Sequence, residues 1–169
     1  MSKTLHLLRH AKSAWDDPGI GDRERGLNKR GRRNAPQMGA VLADRLEPQV
    51  IHVSPARRAQ LTLGGLQDGW EAIQGLDHST EEDLYTFSAT DLVDFIRRQA
   101  DEREVLFLIG HNPGLTDLVN WLCGETVIAN LPTAAYVQLR LTIDRWRDLD
   151  AGTATLADRI FPRELEPQS

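Results

Sequence analysis

Thr4-Leu5-His6-Leu7-Leu8-Arg9-His10-Ala11-Lys12-Ser13 decides how the rest of the chain is read. It is a short apolar run that breaks straight into Arg9-His10 and then into small or polar residues. Continuous apolar strands without clean alternation belong to parallel sheets covered by helices on both faces. Open α/β sheets place their ligands at the C-terminal edge of such strands. An arginine and a histidine side by side at that edge supply a permanent planar cation and an imidazole able to act as nucleophile or proton carrier. The same two residues on a plain surface loop would carry no chemistry, so the other strand ends decide between the readings.

Two further units end alike. Val50-Ile51-His52-Val53 reads as a short strand, followed by Ser54 as an N-cap and Pro55 at the first helical position. Arg57 and Arg58 then fall in the first helical turn, where cations oppose the macrodipole and anions are favoured. Ser54 and Arg58 are four apart and share a face, while Arg57 points about 100° away, so Arg58 is the arginine expected to enter a site. Val105–Gly110 (VLFLIG) is a second strongly apolar strand and runs into His111. Asn112-Pro113 repeats the cap-then-proline pattern, and an amphipathic helix follows, closed by Gly124. Two buried strands ending in histidine and a third ending in arginines make a constellation.

The remaining segments read as scaffold. Trp15–Gly21 is turn chemistry around Asp-Pro-Gly. Arg23, Arg25, Lys29, Arg30, Arg32 and Arg33 make a basic stretch in an acidic chain, largely a solvated face but able to draw an anion inward. The following helix carries Ala35, Met38, Leu42 and Leu46 at helical spacing, and either Asn34 caps it or it begins at Asn28 and is kinked at Pro36. A short strand is expected around Ala72–Leu76, and Thr80 with Asp83 has the form of a capping box. Leu92, Val93, Phe95 and Ile96 mark a helix running to about Ala100. Tyr136–Ile143 alternates as a half-buried strand. Asp150-Ala151-Gly152 is a turn, and Thr153–Phe161 is expected to pair back as an edge strand.

The 169 residues fit a single domain, 1–169, with 163–169 as a polar tail. Hydrophobic residues at 40% and charged residues at 27% are those of a soluble globular protein. A net charge of -5 argues against sequence-independent nucleic-acid binding, which needs a basic footprint. The single cysteine, Cys123, allows no internal disulfide and is expected to be a buried, inert thiol. No apolar run approaches a signal peptide or a membrane span, so a cytoplasmic protein with no membrane partner is expected. No CxxC pair, HExxH or carboxylate cluster suggests a metal.

These residues also carry a family resemblance. Leu7–Ser13 resembles the RHG signature of the histidine phosphatase superfamily, with Ala11 where glycine usually stands. Ser54-Pro55-Ala56-Arg57-Arg58-Ala59-Gln60-Leu61-Thr62 is similar to that superfamily's SPxxRAxxT segment, and Ile109-Gly110-His111 to its second-histidine strand. Small size, Arg25-Gly26-Leu27 and Asp83-Leu84-Tyr85 resemble the SixA-type phosphohistidine phosphatases. The resemblance implies a phosphoglycerate mutase-like α/β fold, a three-layer α/β/α sandwich around a mostly parallel sheet, and a phosphohydrolase without cofactor or metal. It implies that His10 takes the phosphoryl group, that Arg9, Arg58 and His111 surround it, and that Ser13, Arg25 and Arg57 are candidate substrate contacts.

Elementary chemistry supports such roles. Phosphoryl transfer needs in-line positioning and stabilisation of charge on the equatorial oxygens. Guanidinium forks match those oxygens bidentately, and neighbouring cations keep an imidazole neutral and nucleophilic. An alkyl ester leaves as alkoxide and calls for a general acid. Glu82 and Asp83 are the candidates, although each, like Glu81, is explained by capping. A phosphohistidine leaves as imidazole and needs less help. The expected partner is therefore a phosphorylated protein, with a small phosphate ester as the alternative and a non-catalytic phosphate-binding module as a third reading.

Overall fold

The computed structural model describes residues 2–165. Its central strand, β1 (Lys3–Arg9), has neighbours on both sides. That position explains its composition, since a strand covered above and below buries both sets of alternate side chains. β1 runs parallel to β4 (Val105–Gly110), with Leu7 opposite Leu108 and Arg9 opposite Gly110. β2 (His52–Val53) runs parallel to β4, and β3 (Ser79–Thr80) parallel to β2. β5 (Tyr136–Leu141) joins the other side of β1 antiparallel, and β6 (Ala154–Ile160) completes the edge antiparallel to β5. The spatial order is β3-β2-β4-β1-β5-β6.

Period-two alternation sorts the core into two halves. Leu5 and Leu7, with Leu106, Leu108, Val137 and Leu139, face α3 (Ala89–Arg97) and α4 (Gly114–Cys123). Leu8, with Val53, Phe107, Ile109 and Tyr136, faces α1 (Lys29–Arg45) and α2 (Arg57–Gly69). Helix pairs above and below one mixed sheet give the three-layer α/β/α sandwich expected from the sequence. His6, the polar residue inside the apolar run, is buried on the α1/α2 side. Its Nδ1 lies 2.6 Å from Tyr136 Oη, and its ring stacks on both Phe107 and Tyr136, which also touch each other.

Of the two starts open for α1, the one at Asn28 is found: the Asn28 Oδ1 accepts from Gly31 N at 2.9 Å, so Pro36 lies within the helix and Asn34 is not the cap. Several other local expectations are corrected. α2 begins at Arg57, not Pro55, because Ala56 keeps non-helical backbone (φ -57, ψ 138) and takes the N-cap position, while the Ser54 hydroxyl accepts from Ala56 N and from His111. Likewise α4 begins at Gly114 rather than Pro113, while Asn112 Oδ1 accepts from Thr116 N. No strand forms over 72–76. The His78 imidazole accepts from Ile51 N and donates to Ile73 O, taking up backbone groups that a ladder would use. The same bond limits β2 to two residues. Thr80 sits in β3 and accepts from Gln60 Nε2 instead of capping a helix. α3 ends at Arg97, short of Ala100, and Cys123 is half-buried. Gly124 closes α4 in the left-handed conformation and β6 forms the edge, both as expected. The tail expected over 163–169 lies outside the described residues from 166 onward.

One hydroxyl ties the sheet edge to α2. Thr62 Oγ1 donates to Arg58 O at 2.7 Å and accepts from Ala11 N at 2.8 Å, fully buried. Thr62→Val leaves the Ala11 amide without an acceptor, at about 1–3 kcal/mol. The urea midpoint is expected to fall accordingly for Thr62→Val and to be largely kept for Thr62→Ser.

Candidate active site

The parallel strands β1, β2 and β4 deliver their C-terminal ends to one place. β1 brings Arg9 and His10, the segment after β2 brings Ser54 and Arg58, and β4 brings His111. The His10 and His111 rings lie 5.1 Å apart, and Arg58 Nη2 is 3.4 Å from His111 Nδ1. His10, Arg58 and His111 are all almost wholly buried. Long-range backbone bonds fix the β1 end, since Ala134 N donates to both Arg9 O and His10 O. Ala134 does so with φ 60, a left-handed conformation that costs a non-glycine residue energy and is tolerated where surrounding contacts enforce it.

Donor and acceptor rules settle both tautomers. His10 Nδ1 lies 2.8 Å from Ala11 O, and a carbonyl only accepts, so Nδ1 carries the proton and Nε2 the lone pair. A guanidinium only donates, so His111 Nδ1 accepts from Arg58 and His111 Nε2 donates to Ser54 Oγ at 2.7 Å. Burial, reinforced by the Arg58 and Arg9 charges, brings His10 down from 6.5 to about 4, against the opposing pull of the Ala11 bond and Asp22. Burial, then His10 and Arg58, brings His111 down to about 3. Both imidazoles are therefore neutral at pH 7.

The cations are held but not saturated. Arg9 Nη1 donates to Leu131 O at 3.0 Å, a carbonyl that also accepts from Asn112 Nδ2. Arg9 Nε and Arg25 Nε are buried without an acceptor among the described residues. Such donors cost energy until an acceptor arrives. Burial, followed by Arg58, depresses the Arg9 pKa.

Asp22, in the loop between β1 and α1, is a site residue that the sequence reading missed. Its carbonyl accepts from Arg58 Nη1 at 2.8 Å and its Oδ2 from Arg58 Nη2 at 3.1 Å and Tyr85 Oη at 2.5 Å. Arg25 Nη2 stands 3.7 Å from its Oδ1. Burial raises the Asp22 pKa, but the Tyr85 hydrogen bond and the Arg58 and Arg25 charges outweigh it and leave it below the usual carboxylate range. The carboxylate thus occupies Arg58 Nη2, and the Asp22 backbone carbonyl occupies Nη1. Only the density of basic residues around Asp22 hinted at this in the sequence.

The other expected residues are placed as follows. Arg25 reaches Asp22 and stacks on Trp15 at 3.5 Å. Ser13 is buried in a β-bridge with Leu27. Arg57 is exposed, and its guanidinium lies beside Gly26. Glu82 is bound by Arg23 at 2.7 Å and Asp83 by Arg98 at 2.8 Å, with side chains 69% and 65% exposed. No group of three or more potential metal ligands occurs among the described residues. Among those residues, no helix is long and apolar enough to cross a membrane.

The profile of the histidine phosphatase superfamily (branch 1) matches residues 5–106. The chain belongs to that superfamily and is a phosphohydrolase. An uncharacterised protein of Mycobacterium tuberculosis is 31% identical over 168 residues, covering 92% of this chain and all of that one. Among solved structures, a candidate phosphohistidine phosphatase SixA from Agrobacterium tumefaciens is 28% identical with a TM-score of 0.78, covering 95% of this chain and 98% of that one. A phosphoglycerate mutase from Bacillus anthracis, 14% identical, shares the fold alone, with a TM-score of 0.72 over 92% of this chain and 91% of that one.

The buried histidines predict acid sensitivity. His6 is lowered by burial to about 4, alongside His10 at about 4 and His111 at about 3. Below 6.5 the unfolded chain binds protons that the folded chain refuses, so stability is full above that pH and falls as pH drops toward 4. Each such histidine contributes a slope of about 1.4 kcal/mol per pH unit. Urea unfolding as a function of pH is expected to show this decline, with His6→Leu reducing its slope by about one histidine's share.

Proposed function

We propose that the chain is a metal-independent phosphohistidine phosphatase in which His10 Nε2 is the nucleophile. Attack forms the Nε2–P bond as the P–N bond of the substrate breaks, and the departing imidazole carries the bond's electron pair and takes a proton from water, whose hydroxide is neutralised by the proton released when the second water attacks. Water then attacks phosphorus, the Nε2–P bond breaks, and inorganic phosphate leaves with His10 neutral again. Arg9, Arg58 and His111 surround the transferred group, with Arg25 in reach and Ser13 and Arg57 as outer candidates. Guanidinium forks stabilise the equatorial oxygens, a task that a metal ion performs in other phosphoryl-transfer sites.

The observation that carries this reading is a neutral imidazole bonded at Nδ1, leaving Nε2 uncommitted among the described residues, beside guanidinium donors that lack an acceptor there. The choice of phosphohistidine over an ester rests on the acids. Glu82 and Asp83 are held outward by arginines, and Asp22 is kept ionised, so none is poised to protonate an alkoxide. A leaving imidazole needs no strong acid. Likeness to the Agrobacterium tumefaciens chain, described as a candidate phosphohistidine phosphatase, supports the same substrate class.

His10→Ala is expected to lower turnover by about 10⁴-fold or more while leaving the fold intact, and Arg58→Lys to cost on the order of 10²–10³. Wild-type kcat/KM should be higher on a phosphohistidine protein than on alkyl phosphate esters at matched concentration. Preference for an ester rejects the substrate assignment, and undiminished turnover by His10→Ala rejects the covalent route. Because the Asp22 carboxylate holds Arg58 Nη2 and places a negative charge beside the cup, Asp22→Ala, which frees Nη2 and leaves the Nη1 bond to the backbone, is expected to tighten inhibition by inorganic phosphate roughly 3- to 10-fold. Weaker inhibition would show that the carboxylate serves to hold Arg58 in place.

A further inference from the structure

Phe87 lies in the loop between β3 and α3, and its side chain is out of keeping with its setting. It is 49% exposed, yet its ring lies 5.5 Å from the buried His111 ring at 63° and 5.9 Å from Tyr85 at 72°. Tyr85 is itself 5.6 Å from His111 and donates to Asp22, the residue standing on Arg58. The two aromatic rings therefore form a wall on the His111 side of the cup. The backbone that carries Phe87 is fixed. Any Cβ on Gly114 would meet Phe87 C at 3.1 Å and Ser88 N at 3.2 Å, so the loop is seated directly on the first residue of α4. Thr86 Oγ1 braces it further, accepting from Ser88 N and donating to Asp91 Oδ2 at 2.6 Å. Trp15 is more exposed, but Arg25 lies against its indole. A half-exposed phenyl on a braced loop, edge-on to a catalytic-site imidazole, is preorganised to receive a flat apolar partner.

We infer that Phe87, with Tyr85 beside it, is a specificity-determining contact for a planar ring bonded directly to the transferred phosphorus. This rests on the phosphohistidine reading for the identity of the ring, an imidazole, but the contact itself selects any flat ring so attached. Phenylphosphonate carries such a ring on phosphorus and methylphosphonate does not, so the ratio of their inhibition constants isolates the contact.

The wild-type protein is expected to bind phenylphosphonate more tightly. Phe87→Leu is expected to lower that preference by about 3- to 10-fold, while Phe87→Tyr, which keeps the ring, retains it. A role limited to shielding His111 would weaken both phosphonates equally and leave the ratio unchanged. An unchanged ratio in Phe87→Leu, or a wild-type ratio near one, overturns the inference. The two readings fail separately. An ester preference in the substrate panel with the Phe87-dependent ratio intact removes the phosphohistidine assignment and upholds the ring contact. A phosphohistidine preference with no Phe87 dependence does the reverse.

Discussion

A guanidinium buried to 4% exposure is the constraint around which this molecule is arranged. Taking Arg58 out of water costs several kcal/mol unless its donors are met. They are met by groups from separate parts of the chain: both oxygens of Asp22 that face it, and His111 Nδ1. The pairing of Arg58 with its neighbours dictates their states. His111 must present a lone pair to it, which sends the other ring proton to Ser54. Arg9 and Arg58 together disfavour a charged His10, adding to the effect of burial. An excess of positive charge around neutral imidazoles is an unsatisfied arrangement, and the phosphatase mechanism proposed above rests on it.

The sheet makes this arrangement rigid. β1, β2 and β4 run parallel, so their ends point the same way, and each hands over its functional side chain within one to five residues of the last strand residue. The antiparallel strand β5 approaches from the opposite direction. Its leading segment, 131–135, supplies the carbonyls and amides that hold Arg9 and the β1 terminus. Arg9 and His10 are thus fixed by backbone carbonyls, while Arg58 and His111 are fixed largely by each other, Asp22 and Ser54. Loops contribute the more exposed components, Asp22, Tyr85 and Phe87.

What could be read from the sequence follows this division. β1 and β4 are strongly apolar and end in Arg9-His10 and His111, so strand, edge and chemistry are written in adjacent letters. Thr62 belongs to a recognisable segment as well. Ser54 has the spelling of a helix cap, but its hydroxyl serves His111, a partner 57 residues away that local pattern cannot reveal. Asp22 bonds to Arg58 across 36 positions and to Tyr85 across 63, so nothing near it in the chain distinguishes it from the acids of an ordinary loop. His78 defeated the strand reading at 72–76 for a related reason: a side chain took over bonds that propensity assigns to backbone.

The register of β1 against β4 joins residues about a hundred positions apart, Thr4 with Val105 and Arg9 with Gly110. Arg9 reaches its carbonyl at Leu131 across 122 positions. Contacts so distant form late, because the loop between them must be closed before they contribute. A chain that has made only its first half therefore holds His10 without His111 or the Leu131 carbonyl that fixes Arg9. The cup is complete only once β4 and the segment leading into β5 have docked, so its assembly reports the closing of the central sheet.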